Sequence, residues 1–360
     1  MRKRPVREPE LQVTALSCPD AGAFTGAEES RNNSRFPDPI GETPIQRVRL
    51  QLDGKSRNVF LKLEGANPGG SIKDRTALSL LRSLEDAGKL TSGGRLVESS
   101  SGNLAIGLAM LARRRGYRFT AVLDPRVTAE NLRRLRDLGA ETVMVEEPDA
   151  AGGYLLTRLA RIREMLAEDP GLLWTNQYGS AANPGAHYSG TGPELYQQMG
   201  HRVDVVFVAV STGGTLAGIG RFFRETSPKT RVIAVDARGS AALGGAPGKR
   251  RLVGIGSSRL SEFLDARLYD EHIYVEDCEA FAFCRALEAS TGIAVGGSSG
   301  ACLAACARYL QAHRGIERAV CLCADRGEHY ASSIFSDSWL AQHGLEIAPR
   351  HLGPVSDIYL

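Results

Sequence analysis

Asn67-Pro68-Gly69-Gly70-Ser71-Ile72-Lys73-Asp74-Arg75 is the stretch on which the reading of this chain turns. Arginine greatly outnumbers lysine in the sequence, so a lysine here stands out. Lys73 follows a Gly-rich turn and opens an apolar helical stretch, Thr76 to Leu84. A lysine held at a turn beside packed structure loses water; desolvation lowers its pKa and makes the amine a nucleophile, the requirement for a Schiff base. Most lysines after a loop are surface lysines, and two features farther along the chain decide against that reading.

The first is the continuous apolar run Val203 to Val210, followed by Ser211-Thr212-Gly213-Gly214-Thr215 and the helical stretch Leu216 to Arg224. A strand, a glycine loop and a helix start let backbone N–H groups converge on a phosphate, assisted by the helix dipole. No lysine follows the glycines and the spacing is too short for a dinucleotide fingerprint, so this is neither a nucleotide triphosphate loop nor a dinucleotide site. A glycine turn made for packing is the alternative. The second feature is Glu98-Ser99-Ser100-Ser101-Gly102-Asn103, between the strand-like Arg95-Leu96-Val97 and the apolar helix Leu104 to Ala112. Serine hydroxyls and open amides at a helix start suit a carboxylate, and Asn103 can hydrogen-bond a phenolic oxygen; a plain N-cap is the competing reading. A reactive lysine and a phosphate loop point to pyridoxal phosphate, whose aldehyde is carried on a lysine.

In this order the segments resemble the fold-type II pyridoxal-phosphate enzymes, the cysteine synthase and threonine synthase group. Gly41-Glu42-Thr43-Pro44-Ile45 matches that group's opening and Gly296-Gly297-Ser298-Ser299-Gly300-Ala301 its late serine loop. The resemblance runs from about Gly41 to Trp339.

Length and composition agree with such an enzyme. A chain of 360 residues is long for one core, and 42% hydrophobic with 24% charged residues is the composition of a soluble globular protein. A net charge of +3 argues against nucleic acid as partner. Arg113-Arg114-Arg115 and Arg133-Arg134 lie on amphipathic stretches and read as solvated helix faces. No apolar run approaches membrane-spanning length, and the basic N-terminus lacks the apolar core of a secretory signal. The seven cysteines form no secreted framework; Cys302 and Cys306 share a helical face, Cys321 and Cys323 alternate on a strand, and neither pair has neighbouring histidines, so no metal site is expected. A reducing cytoplasm is the expected compartment.

Residues 1–35, polar and rich in Pro, Gly, Asn and Ser, read as a mobile extension. Beyond them strand and helix patterns alternate. Strands are expected at Val59 to Leu63, Arg118 to Leu123, Glu141 to Val145, Val203 to Val210, Arg231 to Asp236 and Ala319 to Cys323. Between the second and third lies a helix that Thr128 caps and Gly139 ends, and Tyr154 to Ala167 is helical. The alternation predicts an α/β protein with parallel twisted sheets flanked by helices and ligands at the carboxyl ends of the strands. The resemblance implies the two-domain, tryptophan synthase β-like form with the cofactor in the cleft. The larger phosphate-binding domain is expected from 36–66 and 182–344, the smaller mobile substrate domain from 67–181, and a C-terminal tail from 345–360.

Carried over residue by residue, the resemblance implies that Lys73 holds pyridoxal phosphate and moves the substrate's Cα proton, and that Asn103 contacts the ring's 3-oxygen. Ser211, Thr212, Gly213, Gly214 and Thr215 hold the phosphate, and Ser298 faces the ring nitrogen. A serine there only hydrogen-bonds, so the ring is a weaker electron sink than one facing an aspartate, and β-elimination of a good leaving group fits. Ser99, Ser100, Ser101 and Gly102, helped by Gln177, are expected to take the substrate's α-carboxylate.

Further segments resemble one subgroup: 146–158, Trp174 to Tyr178, Gly254 to Arg259, Asp325 to Tyr330 and Ser336 to Trp339. That subgroup joins O-phospho-L-serine and L-glutamate on the route to L-2,3-diaminopropionate, for siderophores or peptide antibiotics. Ser211 stands where cysteine synthases usually carry glycine, and with Tyr178 it can reshape the substrate pocket. A phosphate leaving group and a dicarboxylate both need positive charge; Arg158 is the first candidate, Arg259 the second, and an exposed helix arginine is the plain alternative for Arg158. The nearest rival is a cysteine synthase using O-acetylserine or O-phosphoserine with sulfide. A catalytically silent member that works by binding a partner is another. A homodimer acting on small amino acids, with a separate dehydrogenase downstream, is the implied setting.

Overall fold

The computed structural model describes residues 38–149 and 153–360. The expected extension 1–35 and Ala150-Ala151-Gly152 of the subgroup segment lie outside the described residues. Asp38–Leu360 form one compact unit.

The chain opens with β1 (Ile45–Leu52) and β2 (Lys55–Leu63), antiparallel around Asp53-Gly54, both at positive φ (47° and 76°). Asp-Gly is the dipeptide that a tight two-residue hairpin selects. Next come α1 (Lys73–Asp86), β3 (Arg95–Ser99), α2 (Asn103–Arg115), β4 (Arg118–Leu123), α3 (Ala129–Asp137), β5 (Glu141–Met144), α4 (Leu155–Glu168) and β6 (Leu172–Trp174). The second half runs α5 (Ala182–Ala186), α6 (Gly192–Gln198), β7 (Val205–Ala209), α7 (Gly214–Thr226), β8 (Arg231–Ala237), β9 (Glu271–Val275), α8 (Asp277–Thr291), α9 (Gly297–Ala312), β10 (Ala319–Cys323), α10 (Asp337–Gln342) and β11 (Val355–Tyr359). Among the described residues no helix is long and apolar enough to cross a membrane.

Two sheets result, one of seven strands in the order β11-β1-β2-β10-β7-β8-β9 and one of four in the order β5-β4-β3-β6. The smaller sheet is parallel throughout; the larger is parallel from β2 to β9, with β1 and β11 added antiparallel at one edge. The stretch 345–360, expected as a tail, therefore differs from expectation: β11 pairs with β1, and Val355 and Ile358 are buried. The short edge strands β6, β9 and β11 were not anticipated, because half-exposed strands of three to five residues carry little apolar run. Apolar clusters fill both faces of each sheet, and Cys302, Cys306, Cys321 and Cys323 are core residues of the larger one.

Strand order creates a switch point in each sheet. From β7 the chain goes one way to β8 and β9, then returns to β10 on the other side of β7. From β3 it goes to β4 and β5, then returns to β6 on the other side of β3. Loops leaving adjacent strands in opposite directions open a crevice at the carboxyl edge, which is where open α/β sheets bind ligands. The segments 211–215 and Ala324–Asp325 leave the first pair, and 99–103 and 175–178 leave the second.

A buried ion cluster ties α1 to the larger sheet. Lys62 of β2, fully buried, donates to the Thr43 carbonyl (2.5 Å) and Gln198 Oε1 (2.7 Å) and pairs with Glu194. Arg75 of α1 donates through Nε to Glu64 Oε2 (2.7 Å) and through Nη1 to Glu194 Oε2 (2.8 Å). Two cations meet two carboxylates, so neither sign is left uncompensated. Burial pushes Glu194 up, but Arg75 and Lys62 outweigh it and hold the carboxyl at about 2. Its contribution to stability is complete above its ordinary 4.5 and is lost as pH falls toward about 2. Glu194→Gln leaves a buried cation without its partner and is expected to cost about 3–5 kcal/mol at neutral pH, read as a lower urea midpoint, with the penalty shrinking below pH 4.5.

Candidate active site

Lys73 is the first residue of α1, and three contacts set its place. The Ile72 N–H donates to the Ala324 carbonyl (2.8 Å) beyond β10, the Gly70 N–H donates to the Asn67 carbonyl (2.8 Å), and the Gly69 N–H donates to Asp74 Oδ2 (2.5 Å). Gly70 sits at φ +86°, where a side chain would also run into the His329 ring. Burial pushes the Lys73 amine below its usual pKa, and Asp325 opposes the shift. The amine makes no ion pair at salt-bridge distance among the described residues.

Around it, at the β7–β10 switch point, Ser211, Thr212, Gly213, Thr215 and Ser298 line a narrow crevice with Gly254, Leu322 and Ala324. Gly213 precedes α7 at φ +91° and has no side chain to cap it, while Thr212 Oγ1 accepts from the Gly214 N–H (3.5 Å). A Cβ at Gly213 would overlap the Ser261 hydroxyl, and one at Gly214 the Asn183 amide. Ser261 Oγ donates to the Thr212 carbonyl (2.6 Å) and Asn183 Nδ2 to Thr212 Oγ1 (3.3 Å), so two segments brace the loop. His187 Nε2 lies 3.1 Å from Thr76 Oγ1 and 3.2 Å from Thr215 Oγ1, linking α1 to α7. Burial, Lys73 and Arg75 push this histidine well below its ordinary pKa, so it is neutral.

The Ser99–Asn103 loop is built on Glu98. This buried carboxyl accepts from the Ser99 N–H (2.7 Å), Thr175 Oγ1 (2.6 Å), the Gln177 N–H (2.9 Å) and Trp174 Nε1 (3.2 Å). It thereby joins the ends of β3 and β6. Gln177, expected on the substrate's carboxylate, donates its side-chain amide to the Ser99 carbonyl (2.8 Å) and so braces the loop from behind. Ser100 Oγ accepts from the Gly102 N–H (3.4 Å), and Ser99 Oγ is buried without a partner. Asn103 opens α2 and donates to Asp325 Oδ2 (2.7 Å) across to the end of β10.

Arg158 is no solvent-exposed helix arginine: its side chain is 12% exposed. Its Nη1 donates to Ser101 Oγ (2.9 Å) and pairs with Asp124 Oδ2 (3.1 Å), and its Nε is buried without a partner. Arg259 stacks over the Tyr178 ring, 5.2 Å from its centroid, and pairs with Glu262 (3.2 Å). Arg134, expected on a solvated face, instead reaches Gly69 O (2.9 Å) and His329 Nε2 (3.0 Å), because α3 packs toward the Lys73 loop. Sequence reasoning passed over Glu98, Asp124, Asn183, His187 and Asp325. Glu98 and Asp325 head segments that were singled out, but a carboxylate's role as a brace depends on donors distant in sequence.

The model of the pyridoxal-phosphate dependent enzymes matches residues 37–325. The chain belongs to that family. Among similar proteins, N-(2-amino-2-carboxyethyl)-L-glutamate synthase of Ralstonia nicotianae is 45% identical over 305 residues, covering 85% of this chain and 90% of that protein. The protein so named from Cupriavidus metallidurans is 42% identical over 319 residues, covering 88% and 92%. The crystal structure of O-ureido-L-serine synthase superposes with a TM-score of 0.75 at 32% identity, covering 84% of this chain and 98% of that one. A hydrogen sulfide-producing enzyme from Fusobacterium nucleatum gives 0.76 at 29%, covering 81% and 98%. The fold is that of the fold-type II enzymes, and the cofactor is pyridoxal phosphate.

The crevice fits this group: an amine depressed in pKa, a glycine helix start flanked by hydroxyls, and Ser298 in the same lining. Borohydride reduction of the loaded enzyme and peptide mapping are expected to put the cofactor's mass on the peptide holding Lys73, and Lys73→Ala to abolish it. Asp74 offers a separate check. Burial pushes its carboxyl up to about 7 from an ordinary 3.8, with the Gly69 N–H and Arg134 opposing. Between those values the folded state keeps a proton that the unfolded chain has released, so stability falls as pH rises through the window. Relative to wild type, Asp74→Asn is expected to gain stability steadily from pH 3.8 to about 7 and no further above it, in urea unfolding at each pH.

Proposed function

We propose that this chain joins O-phospho-L-serine and L-glutamate by β-replacement, giving N-(2-amino-2-carboxyethyl)-L-glutamate and phosphate, as the name of its relatives at 42% and 45% identity suggests. The observation that carries the reading is the cation over the carboxylate loop: Arg158, nearly buried, lies against Ser101, is paired with Asp124 through Nη1 and leaves its Nε–H unpartnered. A departing phosphate dianion needs such a partner, whereas a departing acetate does not. Tyr178 and Arg259 extend the polar wall, and Ser211 contributes a hydroxyl that also reaches the Gly256 carbonyl (3.3 Å).

Bound at Lys73, pyridoxal phosphate supplies an electron sink that acidifies the substrate's Cα–H. The Ser99–Asn103 backbone and the start of α2 take the α-carboxylate, held in shape by Glu98 and Gln177. The Lys73 amine, kept low in pKa by burial, removes the Cα proton. The Cβ–O bond breaks and phosphate departs with its electron pair toward Arg158. The glutamate amine forms the new Cβ–N bond and sheds a proton, and Lys73 returns one to Cα. Asn103 is assigned to the ring's 3-oxygen, Ser298 to its nitrogen and 211–215 to the phosphate. Residues 67–181 close over the substrate and exclude water. We further infer a homodimer, with a separate dehydrogenase releasing diaminopropionate.

Loaded enzyme, phosphoserine and glutamate are expected to release phosphate and form the N-linked adduct, read by phosphate assay and mass spectrometry. Phosphate without adduct moves the nucleophile to sulfide; no phosphate, with ready turnover of O-acetylserine and sulfide, sinks the reading. Arg158→Ala is expected to raise KM for phosphoserine by about ten- to a hundredfold, the worth of one charged hydrogen bond.

A further inference from the structure

Asp325 has no role in the mechanism above, yet it sits where the Lys73, Asn103 and Ser298 segments meet. Its backbone bridges Ser71, accepts from the Gly296 N–H (3.3 Å), and is followed by Arg326, whose N–H donates to the Gly70 carbonyl (3.2 Å). The residue is 4% exposed. Oδ2 accepts from both Asn103 Nδ2 (2.7 Å) and Tyr330 Oη (2.6 Å), while Oδ1 is buried without any partner. Position 296 must be glycine for this, because a Cβ there would overlap Oδ1.

We propose that Asp325 is a positioning residue of the cofactor site: as an anion it fixes which way the Asn103 amide points, and it holds the one negative charge that faces Lys73. An ionised carboxylate only accepts, so Asn103 must turn its NH₂ toward Asp325. One N–H is then engaged and the second is left for the ring's 3-oxygen; a flipped amide would set oxygen against oxygen. Burial pushes the Asp325 carboxyl up, and the hydrogen bonds from Tyr330 and Asn103 and the charge of Lys73 oppose it in favour of the anion. Lys73 faces Asp325 and the neutral His187. Asp325 faces Lys73, Tyr330 and the thiols of Cys284 and Cys323, whose pKa values burial raises. Replacing Asp325 by a neutral side chain therefore removes the counter-charge of Lys73 among the described residues. The proposal rests on membership in the pyridoxal-phosphate family and is independent of which nucleophile the enzyme uses.

The test uses full-length, cofactor-loaded protein and the isosteric Asp325→Asn variant, with folding checked by circular dichroism. Two quantities are read: the pH midpoint of the visible band of the cofactor at Lys73, and the dissociation constant for pyridoxal phosphate. Asp325→Asn is expected to lower the midpoint by about one pH unit or more and to weaken binding about tenfold. A folded variant with an unchanged midpoint overturns the charge role, and an unchanged dissociation constant overturns the Asn103 role. Asp325→Ser, smaller and equally uncharged, carries the same two readings should the asparagine variant not fold.

Discussion

Everything in the site is referred to the cluster in which Arg75 and Lys62 share Glu64 and Glu194. Arg75 lies two residues past Lys73 on the same helix, so fixing its guanidinium fixes the first turn of α1 and the lysine that opens it. Charges buried this deeply persist only when each has a partner in good geometry. That requirement ties β2, the turn after it and α1 to α6, which lies more distant in the sequence. The lysine's reactivity and its position thus have one origin: the packing that removes water from its amine also anchors the helix that carries it.

Two crevices at the carboxyl edges of two sheets have to face each other for one substrate to be held at both. Buried carboxyls perform the joining. Glu98 gathers the ends of β3 and β6, Asp74 closes the Gly69 turn, and Asp325 spans from β10 to the start of α2. Each uses carboxyl oxygens to organise backbone or side-chain donors, and burial raises the pKa of each. The loops are thus held in shape by carboxyls supplied from the strand ends and turns around them.

The parallel interior of the fold was legible because a strand covered on both faces is a continuous apolar run: β7, β4 and β10 lie within the stretches Val203 to Val210, Arg118 to Leu123 and Ala319 to Cys323 that suggested them. The hairpin partner β1 and the edges β6, β9 and β11 were not, since their pairing is chosen by neighbours and not by their own composition. The same division holds in the site. Lys73 and the glycine loop stood out through local backbone demands, while the hold of Gln177 on Ser99 and the inward turn of Arg134 were not legible, because Ser99, Gly69 and His329 are supplied by other segments.

By itself the sequence determined the chemistry on offer: a lysine after a glycine turn, a phosphate loop on a central strand and a serine-rich helix start, all features set by residues within one turn of each other. Tertiary structure alone decided which of these meet. The return of β10 beside β7 places Asp325 against the Lys73 loop, and the return of β6 beside β3 places Thr175 and Gln177 under Glu98. The reason is physical: a side chain's pKa and hydrogen-bonding role depend on what lies within a few ångströms, and strand order sets that neighbourhood.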